Sequence, residues 1–226
     1  VLNIGLNYFL VFGAGGFEGL GGIGLAIASF LIRLILCLAL LGLLLKEKWG
    51  KINWALSKDI LKLGLPTAGM FFLEVLAFCA VSVLSGKIDV VSAATNNIIL
   101  VLASLTFMIP LSISSAVAVR VGNAYGSKNY ELLEANAKAA LFISLCFTIC
   151  SAAMFYLFPA AIMRLTSEDS SVINLVIQVL FIVALFQIVD GAQVTLAGIL
   201  RGVEKATQTS LMVFVGYWLI GIPLGA

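Results

Sequence analysis

Residues 171–199 read SVINLVIQVLFIVALFQIVDGAQVTLAGI, and Asp190 is the one charged residue among them. A helix needs about 20 consecutive apolar residues to cross the hydrocarbon core of a bilayer, and this run is longer. A charge at that depth costs several kcal/mol, roughly 3 to 15, so such a group is rarely there without a task. The stretch predicts a transmembrane helix that carries a functional carboxylate.

Apolar runs of this kind recur along the whole chain. Complete runs occupy 22–45, 63–86, 90–119 and 137–163, and partial ones occupy 1–12 and 207–226. Of the 226 residues, 62% are hydrophobic and only 11% are charged, whereas soluble domains carry about 25% charge. A transmembrane β-barrel would instead show alternating segments of about ten residues. We therefore expect an all-α, polytopic transmembrane bundle, and because both ends lie within apolar runs we expect an internal fragment of a longer protein.

Basic residues are unevenly distributed among the segments between these runs. Ten of the 13 Lys and Arg residues fall in 46–62, 120–138 and 200–206, whereas only Lys87 and Arg164 lie in the alternate loops. Cytoplasmic loops carry such an excess of positive charge, so we expect the first set to face the cytoplasm. The chain is then a multi-pass protein of the cell (inner) membrane.

The first basic segment, residues 46–62, has a pattern of its own. Lysines alternate with large apolar residues at three- and four-residue steps: Trp49, Ile52, Leu56 and Ile60. This spacing predicts an amphipathic helix on the inner membrane surface, although a solvated loop with chance spacing would look the same. The next transmembrane helix then begins near residue 63, with Pro66 in its first turn, where proline is tolerated.

A second isolated acid, Glu74, lies in the run 63–86. Lys62 precedes Glu74 by 12 residues, and Arg201 follows Asp190 by 11. At a rise of about 1.5 Å per residue, both acids lie about 16–18 Å from the basic interface, close to the bilayer midplane. Two acids on different helices at one depth indicate a shared site for a proton or a cation. The alternative for each is a structural carboxylic acid bonded to a neighbouring helix.

Polar and aromatic residues accompany the acids. Phe186, Asp190 and Gln193 share one helix face, where a charge and a ring together suit a hydrophobic cation. Arg33, also mid-membrane, either pairs with an acid or extends its head group to the interface. Asn97 either bonds to a neighbouring helix or faces a pore. We expect the cavity lining to include Asn97, Phe107, Phe186, Gln187 and Gln193.

Composition excludes several kinds of chemistry. The sequence has no histidine, which removes Ser–His and Cys–His catalysis and histidine-ligated metals. The four cysteines are spaced for neither a zinc site nor a disulfide framework. We expect no enzyme activity, no cofactor and no nucleic-acid partner.

Several motifs follow one another in a recognisable order. They are LGGIG at 20–24, GLP at 64–66 with FLE at 72–74, SLTFMIP at 104–110 with RVGNAYG at 120–126, and DGAQ at 190–193 with GILRG at 198–202. Through these motifs the chain resembles the multidrug and toxic compound extrusion (MATE) family, and most closely its bacterial NorM-type branch.

The resemblance implies a fold of two six-helix lobes. Residues 1–45 would end the N-terminal lobe with two helices, the first partial. Residues 46–62 would be the cytoplasmic amphipathic linker, and 63–226 would form five helices of the C-terminal lobe, the last partial. The implied activity of the full-length monomer is secondary active efflux of hydrophobic and cationic compounds by antiport with Na⁺ or H⁺.

The resemblance also implies roles for individual residues. Glu74 and Asp190 would bind the coupling proton or cation, with Na⁺ as the metal ion. Asn97 stands where the family has a Gln. Phe186 stands where it has a Tyr, so a hydroxyl that ligates a cation is missing at that position.

Two further features bear on the substrate. Glu168 and Asp169 stand where some members of the family use an acidic loop to hold cationic substrates, although alone they are typical of a solvated surface. The alternative function is a flippase of lipid-linked precursors with a related architecture. Such a protein needs a cationic cavity for an anionic head group, and Arg33 is the one residue here that favours it.

Overall fold

The computed structural model describes residues 2–13, 19–45, 53–163 and 170–225. Every regular element in these ranges is helical, and five helices are long and apolar enough to cross a membrane. The expected all-α transmembrane bundle is therefore confirmed. The chain divides into two compact units, Val1–Trp54 and Ala55–Ala226.

The first unit contains α1 (Leu2–Phe12) and α2 (Gly21–Leu44), which pack against each other. A glycine sets their closest approach, because a Cβ on Gly24 would lie 2.2 Å from the carbonyl oxygen of Leu10. The N–H of Leu20 donates to that same oxygen at 2.9 Å. Both helices coincide with apolar runs that the sequence predicts.

The second unit has four long helices, one short helix and a C-terminal segment of mixed helix type. They are α3 (Trp54–Ile88), α4 (Val90–Gly126), α5 (Tyr130–Leu157), α6 (Pro159–Met163), α7 (Ser170–Gly202), α8 (Ala206–Phe214), a π-helical stretch (Val215–Gly221) and α9 (Ile222–Gly225). The predicted transmembrane runs thus correspond to helices. The π-helical stretch within the last run was not predicted.

Helix α7 lies at the centre of this unit and packs against α4 and α5. Its glycines allow close approach: a Cβ on Gly198 would lie 2.4 Å from the carbonyl oxygen of Ser114, and one on Gly191 would lie 2.4 Å from a methyl carbon of Thr148. Hydroxyl groups add bonds between the helices, since Ser114 donates to the carbonyl oxygen of Val194 at 2.6 Å. Small residues and interhelical hydrogen bonds are what hold helices together in a bilayer. The orientation of α7, and with it that of the acid it carries, is thereby fixed.

Helix α3 differs from the expectation at its start. It begins at Trp54 and runs without interruption to Ile88, so Pro66 lies in its interior and not in its first turn. Residues 54–62 are thus part of the long helix and not a separate surface helix. The hydroxyl of Ser210 on α8 donates to the carbonyl oxygen of Pro66, and Thr67 donates to that of Leu63 at 2.8 Å. Residues 46–52 lie outside the described ranges, and the linker role of 46–62 stays a prediction.

Candidate functional site

Glu74 on α3 and Asp190 on α7 are both buried, with 9% and 7% of their surface exposed. Met70 of α3 and Ala197 of α7 belong to one apolar cluster, so both helices contribute to the same small core. The charge of Asp190 acts on Glu74. The structure therefore brings the two predicted acids close enough for their charges to interact.

A third polar group joins the pair. The hydroxyl of Tyr217 donates to Oδ1 of Asp190 at 3.3 Å. The ring of Tyr217 packs against Phe78 with a centroid separation of 6.1 Å. Because Phe78 follows Glu74 by one helical turn, this contact holds Tyr217 beside both acids.

Tyr217 was not among the residues predicted from the sequence. Its signal was present, since it is the one tyrosine in the last apolar run, and a buried phenol needs a hydrogen-bond partner. What the sequence does not show is which partner the phenol finds. That depends on the helix type around it.

The π-helical stretch orients two neighbouring side chains toward the site. The N–H of Ile222 donates to the carbonyl oxygen of Tyr217, five residues back. The next side chain, Trp218, donates through Nε1 to the carbonyl oxygen of Leu73 at 3.2 Å. Tyr217 therefore contacts Asp190 on α7 while Trp218 contacts α3 directly before Glu74. Single π-helical turns are rare and frequently lie at functional sites.

Arg201 also approaches the acids, although its place in the sequence predicted only a residue at the membrane interface. It is half-buried, and its Nη2 donates to the hydroxyl of Ser114 at 2.8 Å. Its guanidinium lies over the ring of Phe71, 5.4 Å from the centroid. Its charge acts on Glu74. A long side chain thus carries positive charge from the end of α7 back toward the acid pair.

An apolar cavity of about 900 Å³ adjoins the site between α3, α7 and the C-terminal helical segment. Two of the expected lining residues, Phe186 and Gln193, line it, and Asn97, Phe107 and Gln187 do not. Tyr217 connects the two features because it lines the cavity and hydrogen-bonds to Asp190. Further lining residues come from all three elements: Ala77, Phe78, Val189, Ala192, Met212 and Val213.

The remaining expected lining residues lie elsewhere in the second unit. Gln187 is buried and donates to the hydroxyl of Thr106 on α4. Asn97 is exposed, and Phe107 is half-buried on α4. The helical turn explains Gln187: it lies one residue from Phe186, so it faces α4 while Phe186 faces the cavity.

The other candidates lie in the first unit or outside the described residues. Arg33 is exposed on α2, in the first unit. Glu168 and Asp169 lie outside the described residues, so their expected role stays a prediction.

Fold and site together define a class of protein. The chain is a polytopic helical membrane protein in which two buried carboxylates on facing helices adjoin a large apolar cavity. Ionisable residues inside a membrane segment are expensive and are typical of ion and substrate pathways.

Comparison with known proteins identifies the family. The MatE family model matches residues 66–226, and the chain belongs to this family, as its motifs predict. It is 32% identical to the multidrug resistance protein NorM of Aliivibrio fischeri, over 99% of this chain and 51% of that protein. It is 33% identical to the probable multidrug resistance protein NorM of Mesorhizobium japonicum, over 97% of this chain and 50% of that protein.

A solved structure has the same fold as this chain. The crystal structure of the eukaryotic MATE transporter AtDTX14 matches with a TM-score of 0.85 and 26% identity, over 98% of this chain and 51% of that one. The chain spans about half the length of the relatives it matches. The bacterial relatives and the five apolar helices confirm a multi-pass protein of the inner membrane. The expectation that it is not an enzyme agrees with these names, and the flippase alternative is not favoured.

Proposed function

We propose that this chain takes part in secondary active efflux of hydrophobic and cationic compounds, driven by inward movement of Na⁺ or H⁺. The observation that carries the proposal is the buried pair of Glu74 and Asp190 next to a cavity of about 900 Å³. The names of the NorM relatives support the substrate class. No cofactor other than the coupling ion is needed, and the full-length protein works as a monomer.

The acid pair provides the ion site. Two buried carboxylates that act on each other repel, and a bound cation or a proton relieves the repulsion. The hydroxyl of Tyr217 lies against Asp190, and its oxygen is a further ligand for a hard cation such as Na⁺. Loading and emptying this site is the chemistry that an antiporter needs.

The cavity provides the substrate site. Its lining is mostly apolar, with the rings of Phe78, Phe186 and Tyr217 and the amide of Gln193 as polar and π-electron contacts. Aromatic faces attract organic cations, and the apolar lining accepts the rest of a hydrophobic molecule. Because Tyr217 belongs to both sites, ion binding and substrate binding act on one shared side chain.

Coupling follows if the ion and the substrate prefer different conformations of one bundle. An ion that enters from outside then shifts the population toward the state that releases the substrate, and emptying the ion site inward resets it. The resemblance to a solved MATE transporter supports a bundle of this kind.

Replacing Asp190 by Asn in the full-length protein tests the proposal. Efflux of ethidium from cells should fall by about tenfold or more, within the usual range of coupling free energies. The matched control is Asp59→Asn, which neutralises an exposed aspartate on the same set of helices and should leave efflux unchanged. Wild-type efflux by the Asp190→Asn protein, at equal amounts in the membrane, would contradict the proposal.

The coupling ion is identified by a second measurement. Efflux from proteoliposomes is followed while Na⁺ is replaced by choline at fixed pH, and then while pH is varied without Na⁺. Loss of efflux in choline assigns Na⁺, and efflux that depends on pH alone assigns H⁺. Efflux that responds to neither ion would contradict the antiport proposal.

A further inference from the structure

We propose that Arg201 is a built-in counter-charge of the acid pair, which sets the pair's affinity for the coupling ion and limits its charge to that of one monovalent cation. The inference rests on the proposed function. It assigns to Arg201 a role in ion binding that its place at the end of a transmembrane helix does not suggest.

The guanidinium of Arg201 lies close to helix α3. It lies 5.4 Å from the ring centroid of Phe71, and Phe71 precedes Glu74 by three residues, on the same side of α3. The positive group therefore lies on the side of α3 that carries Glu74, separated from its carboxylate by more than ion-pair distance. The charges of Glu74 and Arg201 act on each other across this gap.

The Arg201 side chain is held in one position. Three helices fix the side chain: α7 bears it, Phe71 of α3 lies under it, and Ser114 of α4 accepts a hydrogen bond from Nη2 at 2.8 Å. Ser114 in turn donates to the carbonyl oxygen of Val194 on α7. A flexible side chain is thus kept at one distance from the acids and does not extend freely into the aqueous phase.

The guanidinium of Arg201 is incompletely paired. The Nε of Arg201 is buried and has no hydrogen-bond partner, and Arg201 and Glu74 are not within ion-pair distance in the part of the chain that the structure describes. A buried donor without a partner is costly and calls for an explanation. A group that is near a carboxylate but not bonded to it leaves the carboxylate oxygens free for an incoming ion.

The net charge of the site depends on Arg201. Two ionised carboxylates and one guanidinium carry a net charge of minus one, which a single Na⁺ or H⁺ neutralises. Without Arg201 the pair would carry two negative charges, hold a cation more tightly and release it more slowly. An exchanger has to release its ion in every cycle, so a fixed positive charge beside the site favours turnover.

The test uses full-length protein in proteoliposomes loaded with ethidium. The measured quantity is the concentration of Na⁺ or H⁺ that gives half-maximal ethidium efflux. A charge about 10 Å away, at an effective dielectric constant of about 20, changes cation affinity by about tenfold. Arg201→Gln should therefore lower the half-saturating concentration by about tenfold and reduce the maximal rate.

Three further variants separate charge from structure. Arg201→Lys keeps the positive charge on the same turn of α7 but loses the planar group that stacks on Phe71, so its half-saturating concentration should lie between those of wild type and Arg201→Gln. Arg120→Gln removes an exposed arginine on α4 and should change nothing. Ser114→Ala removes the bond that holds Nη2, frees the guanidinium to pair with Glu74, and should raise the half-saturating concentration.

The outcomes are distinguishable. An unchanged or raised half-saturating concentration in Arg201→Gln overturns the inference, as does an equal effect of Gln and Lys. If Arg201→Gln does not reach the membrane, the sign of the Ser114→Ala shift decides. A wild-type protein whose efflux depends on neither ion would instead overturn the proposed function, whatever Arg201 does.

Discussion

A few side chains form the candidate site, and only some of them could be predicted from the sequence. Glu74 and Asp190 stand out because each is an isolated charge in a long apolar run, where a charge is costly. Tyr217 does not stand out, because tyrosine is common in membrane helices and its hydroxyl gains a role only through its bond to Asp190. Arg201 was predicted only as an interface marker, because the sequence does not show how far a long side chain reaches beyond the level of its own Cα.

The role of the Tyr217 hydroxyl can be tested by removing its oxygen atom. Tyr217→Phe keeps the ring against Phe78 and removes the hydroxyl that donates to Asp190. A hydrogen bond to a charged group contributes about 1.5–3 kcal/mol, so the half-saturating concentration of the coupling ion should change by about 10- to 150-fold. Ethidium efflux from proteoliposomes at varied Na⁺ or H⁺ measures this concentration. The affinity for ethidium should change by a smaller factor.

The control for this variant removes a hydroxyl elsewhere. Tyr156 is exposed on α5, and its ring packs against Phe181 at 6.0 Å. Tyr156→Phe should leave the ion response as in wild type. If Tyr217→Phe and Tyr156→Phe behave alike, the hydroxyl of Tyr217 has no part in the ion site.

At the scale of the helices, hydropathy identifies the elements but not all of their details. The expected runs correspond to helices because a bilayer demands about 20 apolar residues from each span. The start of α3 was misplaced because residues 54–62 contain lysines and an aspartate, which interrupt the apolar run without interrupting the helix. The π-helical stretch was not predictable, since its seven residues are too few to show a different period.

Contact between helices α4 and α7 depends on the absence of a side chain at Gly198. A methyl group there would lie 2.4 Å from the carbonyl oxygen of Ser114 and 2.5 Å from its hydroxyl. Gly198→Ala should therefore push the helices apart and destabilise the protein by about 1–3 kcal/mol. Because the same shift moves Ser114 and Asp190, efflux should fall as well. Loss of the folded protein on heating in detergent, followed by size-exclusion chromatography, measures the destabilisation.

Gly69 offers the opposite case. It lies in the interior of α3, and a Cβ there would meet nothing within 4 Å in the described part of the chain. Gly69→Ala should stabilise the helix by about 0.5–1 kcal/mol, because alanine loses less backbone freedom than glycine on folding. If Gly198→Ala were as stable as Gly69→Ala, close packing of α4 on α7 would not hold this unit together.

On the scale of the whole molecule, the distribution of charge and the order of motifs gave the correct family and membrane class. Both are spread along the chain and do not depend on any one contact, which is why they were readable from the sequence. The composition of the cavity was only partly readable. Phe186 and Gln193 line it but Gln187 does not, because a single residue step turns a side chain by about 100° and toward a different helix.

Membrane orientation is the last property to test, and it rests on ten of 13 basic residues lying in alternate segments. Two exposed positions on opposite sides of the predicted bilayer serve as reporters: Lys87 at the end of α3 and Glu131 at the start of α5. In full-length protein whose native cysteines are replaced, Lys87→Cys should react with a membrane-impermeant maleimide in intact cells. Glu131→Cys should react only after the membrane is made permeable, because the positive-inside rule places that end in the cytoplasm. Ethidium efflux by both variants shows that they are folded. The reverse labelling pattern would invert the orientation, and Arg201 would then face the side from which the coupling ion enters.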